Sequence, residues 1–312
     1  AAAAVYKQNN CDGLIALGGG SSIDCAKGVA IAATHEGPLK TYATIEGGSP
    51  KITAAVPPLI AVPTTAGTGS EVARGAIVIV DDGRKLGFHS WHLMPKAALL
   101  DPDLTLGLPV AMSVTSGLNA MAHAVEGLYA QDRNPVSTLM ALDGLRAFKD
   151  SLPVLLKSPQ DGNARAEALY GAWLCGTVLG TVGMALHHKL CHTLGGSFDL
   201  PHAETHAVIL PHAIAYNEAA VPGQLAPLAA LFGTDTAAAG LAGETGVTPV
   251  QDEPVVHVQL ELGGDHLEQL LLHLIDVLAH RKAGAVGDPE DMGIDGDGGP
   301  AEGGVEHHVG GL

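Results

Sequence analysis

An α/β layer followed by an all-α half is the fold that this sequence predicts. Short apolar runs alternate with a helical pattern over the first hundred residues, and the texture turns helical from Pro109 onward. With 312 residues, 46% of them hydrophobic and only 16% charged, the chain has enough apolar surface for a sizeable core and two domains of ordinary size.

The first strand is expected at residues 14–17, within the buried-strand pattern Gly13-Leu-Ile-Ala-Leu17, and a helix at 22–34. Further strands are expected at 59–62 and 76–80, and this alternation points to a mainly parallel sheet. Pro109 stands where a helix would begin, so the boundary is placed near Leu108, giving domains 1–108 and 109–242. Helices are expected at 110–130, 135–145 and 164–179, then over 188–219. The apolar run 171–186 contains Gly, Thr and Trp and leads into a His pair, which reads as a buried helix rather than a membrane span.

Four cysteines, Cys11, Cys25, Cys175 and Cys191, lie far apart with no CxxC pair. That argues against a disulfide framework and a cysteine zinc site, and fits a reducing cytoplasm. A net charge of −17 without clustered Lys and Arg disfavours nucleic acid as a partner. Residues 251–312 hold 13 Asp plus Glu against 2 Lys plus Arg, so this tail contributes −11 and the body is only mildly acidic.

Both ends depart from the pattern of the body. The chain opens on Ala1 and meets its first strand within a few residues, which leads us to expect sequence upstream; no signal peptide is read there. From about Gly243 onward Gly and Asp rise, His recurs, and helical periodicity survives mainly over 267–278. The expectation for 243–312 is a disordered acidic tail or the product of a frame error in a GC-rich gene.

Three motifs carry chemistry. Gly18-Gly19-Gly20-Ser21-Ser22-Ile23-Asp24 joins the first strand to a helix. Glycines let the backbone approach a phosphate, and the helix N-terminus offers free N–H groups, although a strand-to-helix turn without a ligand has the same pattern. Pro63-Thr64-Thr65-Ala66-Gly67-Thr68-Gly69-Ser70-Glu71 follows another strand and is rich in hydroxyl donors suited to pyrophosphate or a nicotinamide amide. Two such loops at neighbouring strand ends match the place where α/β proteins bind dinucleotides. In the helical half, Asn119 and His123 are four apart, as are His188 and His192, with His202 following a Gly195-Gly196 break and Pro201. Single histidines on apolar helices are usually core residues, but this set opposite two phosphate-type loops points to an active site. His202 and His206 also lie four apart, yet Glu204 does not directly follow the first, so the HExxH metalloprotease pattern is not met. Lys85, after Asp81-Asp82-Gly83-Arg84, reads by itself as a solvated turn residue.

GGGSSIDCAK, PTTAGTGSEV, DPDLTLGLP, GLNAMAHAVE and HHKLCHTLGGSFDLPHAETHAVILPHAIAYN occur in the order of the iron-containing alcohol dehydrogenase family, which the chain resembles over about residues 10–241. The stretch 168–177, ALYGAWLCGT, is similar to the maleylacetate reductase branch. The resemblance implies the dehydroquinate synthase-like architecture, in which a Rossmann-like NAD(P)-binding domain, here lacking its first strands, faces a helical domain across the active-site cleft. It implies that Gly19, Gly20 and Ser21 hold the pyrophosphate, that Asp24, Thr64, Thr65 and Thr68 belong to the cofactor site, and that Lys85 reaches the cofactor from the opposite loop. The family's metal ligands, an Asp and three His, fall on Asn119, His123, His188 and His202, and His192 matches a further active-site His. A neutral Asn in place of Asp removes the charge a divalent ion wants, so no metal is expected.

The implied reaction is the NADH- or NADPH-dependent reduction of the conjugated C=C bond of maleylacetate to 3-oxoadipate in aromatic-compound catabolism. The small dicarboxylate would meet a catalytic set of Asn119, His123, His188, His192 and His202. Crowded imidazoles depress one another's pKa, and a bound dianion raises it. A homodimer in the cytoplasm, touching neither membrane nor nucleic acid, is implied. The alternatives are a metal-dependent alcohol dehydrogenase using Fe or Zn at Asn119, His123, His188 and His202, and an inactive binding protein that keeps the fold.

Overall fold

The computed structural model describes residues 1–80, 84–198 and 200–245. The tail beyond Thr245, including the periodic stretch 267–278, lies outside the described residues.

After a short helix α1 (Ala2–Gln8), β1 (Leu14–Gly18) leads into α2 (Gly20–Thr34), and β2 (Leu59–Pro63) and β5 (Ala97–Ala98) complete a parallel sheet of order β1-β2-β5. The register pairs Leu14 with Leu59 and Gly18 with Pro63, so the two glycine-bearing segments leave the sheet at the same edge. The third expected strand is real but differently placed. β3 (Gly75–Ile79) pairs antiparallel with β4 (Lys85–His89) in a separate hairpin. The short link between them cannot make the crossover of a dozen or more residues that a parallel pair needs. β1 is also not buried on both faces: Ala16 is buried, whereas Ile15 is 73% and Leu17 60% exposed.

The helical half consists of α3 (Val110–Tyr129), α4 (Pro135–Lys157), α5 (Gly162–Thr181), α6 (Leu186–Phe198), α7 (His202–Glu218), α8 (Pro222–Phe232) and α9 (Ala237–Thr245). Asn134 starts α4 with a capping box, its side chain accepting from Val136 and Ser137 amides while the Ser137 hydroxyl accepts from the Asn134 amide. The Asp161 carboxylate caps α5 through the Ala164 amide. α4 runs past the expected residue 145, through Pro153, because Ala147, Phe148, Leu152 and Leu155 continue its buried face. The single helix expected over 188–219 is two. Pro201, with its fixed φ and no N–H to donate, occupies the N-cap position of α7 and ends any continuation from α6.

α3 is the central element, buried from Gly117 to Leu128, and Met121 and Leu128 pack with Leu145, Phe148, Leu210, Ile214 and Leu225 in one core. Ile31, Ala76, Leu86 and Phe88 form a second cluster between α2 and the hairpin. Among the described residues no single helix is long and apolar enough to cross a membrane.

Candidate active site

The first glycine turn and the second loop are in contact. The Thr64 amide donates to the Gly18 carbonyl at 3.0 Å. A β-carbon on Gly19 would lie 3.4 Å from the Thr65 methyl, and one on Gly20 would lie 2.9 Å from Thr68 Cβ. Gly20 is therefore small because the second loop packs on it, besides any need for a phosphate to approach. Thr65 Oγ1 is buried with no hydrogen-bond partner, and Ser21 is exposed at the first turn of α2. A glycine cradle beside a helix N-terminus and an unpaired buried hydroxyl fits a dinucleotide phosphate or amide.

Two residues expected on the cofactor are engaged elsewhere. The Asp24 carboxylate accepts from the Ser70 hydroxyl and from the Ile77 amide. The Thr68 hydroxyl donates to Glu71 at 2.9 Å. These side chains set the shape of the loops rather than facing outward from them.

The far side of the second loop rests on the helical half. A β-carbon on Gly67 would stand 2.0 Å from the Ser116 carbonyl oxygen, and Gly69, at φ +69°, would meet Gly176 Cα at 3.1 Å and His123 Cε1 at 3.7 Å. Asn119 Nδ2 donates to the Gly67 carbonyl at 3.1 Å, which leaves its buried Oδ1 unpaired.

Around this contact the structure gathers six imidazoles, His123, His187, His188, His192, His202 and His206. The ring centroids of His188 lie 5.0 Å from His123, 4.9 Å from His206 and 6.0 Å from His192, and His202 lies 4.3 Å from His206. His123, His187, His188 and His206 are buried, while His192 and His202 form an exposed rim. Lys85, exposed at the start of β4, is near enough for its charge to depress His202. The structure thus brings together Asn119 and all four expected histidines.

It adds Glu126, His187 and His206, none of them among the expected site residues. Glu126 has no solvent exposure and accepts from the His188 ring Nδ1 at 2.5 Å, the His187 amide at 2.8 Å and the Ala185 amide at 3.1 Å. With Glu126 accepting from the Ala185 and His187 amides, the His188 ring is assigned its proton on Nδ1 and turns a bare Nε2 away from Glu126. His187 Nε2 donates to the His206 carbonyl at 3.0 Å, which assigns its tautomer too.

All the buried rings are held neutral. Burial, followed by repulsion from neighbouring rings, lowers His188 to about 3 and His187 to about 4. His123 is pushed well below the ordinary imidazole value by burial and by His188, and His206 is lowered by burial and by His187 and His188. His202 is lowered by partial enclosure, then by His192 and Lys85.

To a divalent cation, Asn119, His123, His188 and His202 offer an amide and three neutral imidazoles, with His123 Nδ1 and His188 Nε2 buried and without hydrogen-bond partners. Among the described residues, the His, Cys and carboxylate ligand atoms that converge within 4.8 Å belong to Glu126, His187 and His188, and to His187, Cys191 and His206. In the first trio the carboxylate is saturated by amides and the His188 ring. In the second, burial and Glu126 push the Cys191 thiol up, away from the thiolate a metal needs, and His187 Nε2 is already donating. What the set Asn119, His123, His188 and His202 lacks is a carboxylate to offset the charge of a divalent ion.

An α/β half whose glycine loops abut a buried histidine cluster in an all-helical half defines a class of two-part α/β-plus-α proteins. Residues 1–102 match "Iron-containing alcohol dehydrogenase", and residues 113–251 match "Fe-containing alcohol dehydrogenase family, C-terminal". The chain is 53% identical over 228 residues to a maleylacetate reductase of Rhizobium sp. (strain MTP-10005), covering 73% of this chain and 58% of the relative. It is 52% identical over 221 residues to a 4-hydroxybutyrate dehydrogenase of Cupriavidus necator, covering 69% and 58%. The crystal structure of maleylacetate reductase from Rhizobium sp. strain MTP-10005 is similar with a TM-score of 0.72 at 44% identity, covering 90% of this chain and 76% of that one. This chain belongs to the iron-containing alcohol dehydrogenase family. It spans 58% of the length of these two curated relatives.

Proposed function

We propose that the chain is a nicotinamide-dependent reductase of a small unsaturated dicarboxylate, maleylacetate, yielding 3-oxoadipate, with residues 1–108 serving the cofactor and 109–242 the substrate. The observation that carries this reading is the second glycine loop, which touches the first glycine turn on one side and Asn119 and His123 on the other. By family resemblance we also assign it to the cytoplasm as a homodimer.

NADH or NADPH, when bound, supplies the hydride. Gly19, Gly20 and Ser21 receive phosphate, Thr64 and Thr65 hold the cofactor against the second loop, and Lys85 approaches from the hairpin. Hydride addition to the alkene places enolate-like charge on the substrate oxygen, and the histidine cluster is the source of hydrogen bonds and of a proton for that charge. Neutral rings admit a dianion without a counter-ion already in place. The carboxylates then raise the affinity of the rim, His192 and His202 beside Lys85, for protons. His188, oriented by Glu126, offers one fixed ring face, and Asn119 Oδ1 accepts without adding charge.

Turnover is proposed to need no metal, because Asn119 brings no negative charge to offset a divalent ion and the nearby Glu126 is already taken up by amides and the His188 ring. The similarity to a 4-hydroxybutyrate dehydrogenase favours a second reading, oxidation of a hydroxy acid assisted by a cation. NADH and NADPH oxidation by the full chain with maleylacetate, before and after chelation, separates the two. Turnover unchanged by chelation is expected. Activity only on 4-hydroxybutyrate, lost on chelation and restored by Zn²⁺ or Fe²⁺, would reverse the assignment.

A further inference from the structure

Lys27 is a lysine with no solvent exposure on α2, the helix that opens at the first glycine turn. Its ammonium group donates to the carbonyls of Ser70 at 2.7 Å, Ala73 at 2.8 Å and Gly75 at 2.7 Å, and to Ser70 Oγ at 3.1 Å. Three of these four acceptors are main-chain oxygens of the segment that leaves the second loop and enters β3. That segment is irregular as far as Arg74, so buried carbonyls there lack the partners a helix or sheet would give them. One turn earlier, Asp24 takes the Ser70 hydroxyl and the Ile77 amide, so Ser70 is gripped from both sides. Glu71, also buried, is tied to Thr68 inside the loop.

We propose that Lys27, with Asp24 and Ser70 as its partners, is a positioning residue for the cofactor: it fixes the second glycine loop against the first turn so that both meet one dinucleotide. The proposal rests on the cofactor reading given above. A buried ammonium is costly unless it is fully paired, and here every proton has an acceptor. Burial draws Lys27 down to about 8, against the opposing charges of Asp24 and Glu71, as expected for a cation retained inside the fold by its partners. An apolar side chain of the same length would leave three main-chain carbonyls unpaired behind the loop. The loop would then be free to shift relative to Gly20, whose Cα has no side chain to wedge it in place.

The test is titration of the full chain and of Lys27→Met and Ser70→Ala with NADH and NADPH, alongside kcat at saturating cofactor, below the unfolding transition of each variant. Ser70→Ala removes the hydroxyl shared by Asp24 and Lys27 with little volume change, and it decides the matter if Lys27→Met does not fold. The expected result is cofactor affinity weakened by about tenfold in Lys27→Met and less in Ser70→Ala, with kcat within about twofold of the parent. A residue that merely stabilised the fold would lower Tm and leave the affinity of the folded protein unchanged. Parent-like affinity in the folded variants, while Gly20→Val binds weakly, would overturn the proposal and leave the cofactor reading standing. A parent chain that binds neither dinucleotide would overturn both.

Discussion

A carboxylate without solvent contact has to find its donors inside the protein, and Glu126 finds most of them where α6 begins: the Ala185 and His187 amides and the ring of His188. The pairing decides which nitrogen of His188 faces the cluster. Glu126→Gln should therefore reduce turnover on the order of a hundredfold, because an amide can donate to Nδ1 and move the proton to Nε2, reversing the hydrogen-bonding sense of the ring. Dinucleotide affinity should stay as it was, since the glycine loops do not touch Glu126. Steady-state kinetics beside a binding titration checks both halves of this expectation, and parent-like turnover would sink it. Glu126 was legible in principle: Asn119, His123 and Glu126 sit at i, i+4 and i+7 on one helix face. It was passed over because a Glu in a helix usually points to water. His206 was set aside with the unmet HExxH pattern, although a failed motif does not bear on whether the side chain is buried among other rings.

The elements show which sequence signals were strong. The strand-turn-helix unit around Gly18 to Asp24 and the helix over Val110–Tyr129 were read almost to the residue, since periodicity and punctuation agree there. β4, KLGFH, was missed because its alternation is carried only by Leu86 and Phe88, with a glycine between them and polar ends. The break between α6 and α7 was blurred because apolar and His residues continue on both sides of it. The two glycine loops were legible as neighbours at adjacent strand ends, but their direct contact depends on the parallel register of β1 and β2. That contact makes a prediction. Gly20→Val should weaken NADH binding by roughly tenfold or more, since its branches would enter the space of Thr68 and separate the loops. A folded variant with unchanged affinity, measured by fluorescence titration, would refute it.

At the level of the whole molecule, the histidine cluster ties stability to pH. Folded-state values for the buried rings lie below the ordinary imidazole value, with His188 near 3 and His187 near 4, so the unfolded chain binds more protons as pH drops through about 6.5. Stability is therefore full above that value and is lost as the pH falls toward 4. By pH 5 the loss should be about 2 kcal/mol for each of His187 and His188. Asp24 and Glu71, raised by burial, act in the opposite direction at lower pH and soften the decline. Urea unfolding at pH 7 and pH 5 measures the effect, and equal stability at the two values would show that the rings titrate freely. The seam between Gly69 and Gly176 bears on how such a protein can change over generations. There the main chains of the two halves meet with no side chain between them, and a β-carbon on Gly176 would come within 2.7 Å of Gly69 Cα. The spacing between the dinucleotide loop and His123 is consequently a backbone dimension, beyond the reach of conservative substitution. New substrate preferences must then be written at the rim, in Lys85, His192 and His202, and a mutant library that spares the seam and varies those three positions should hold most of the folded, altered-specificity variants.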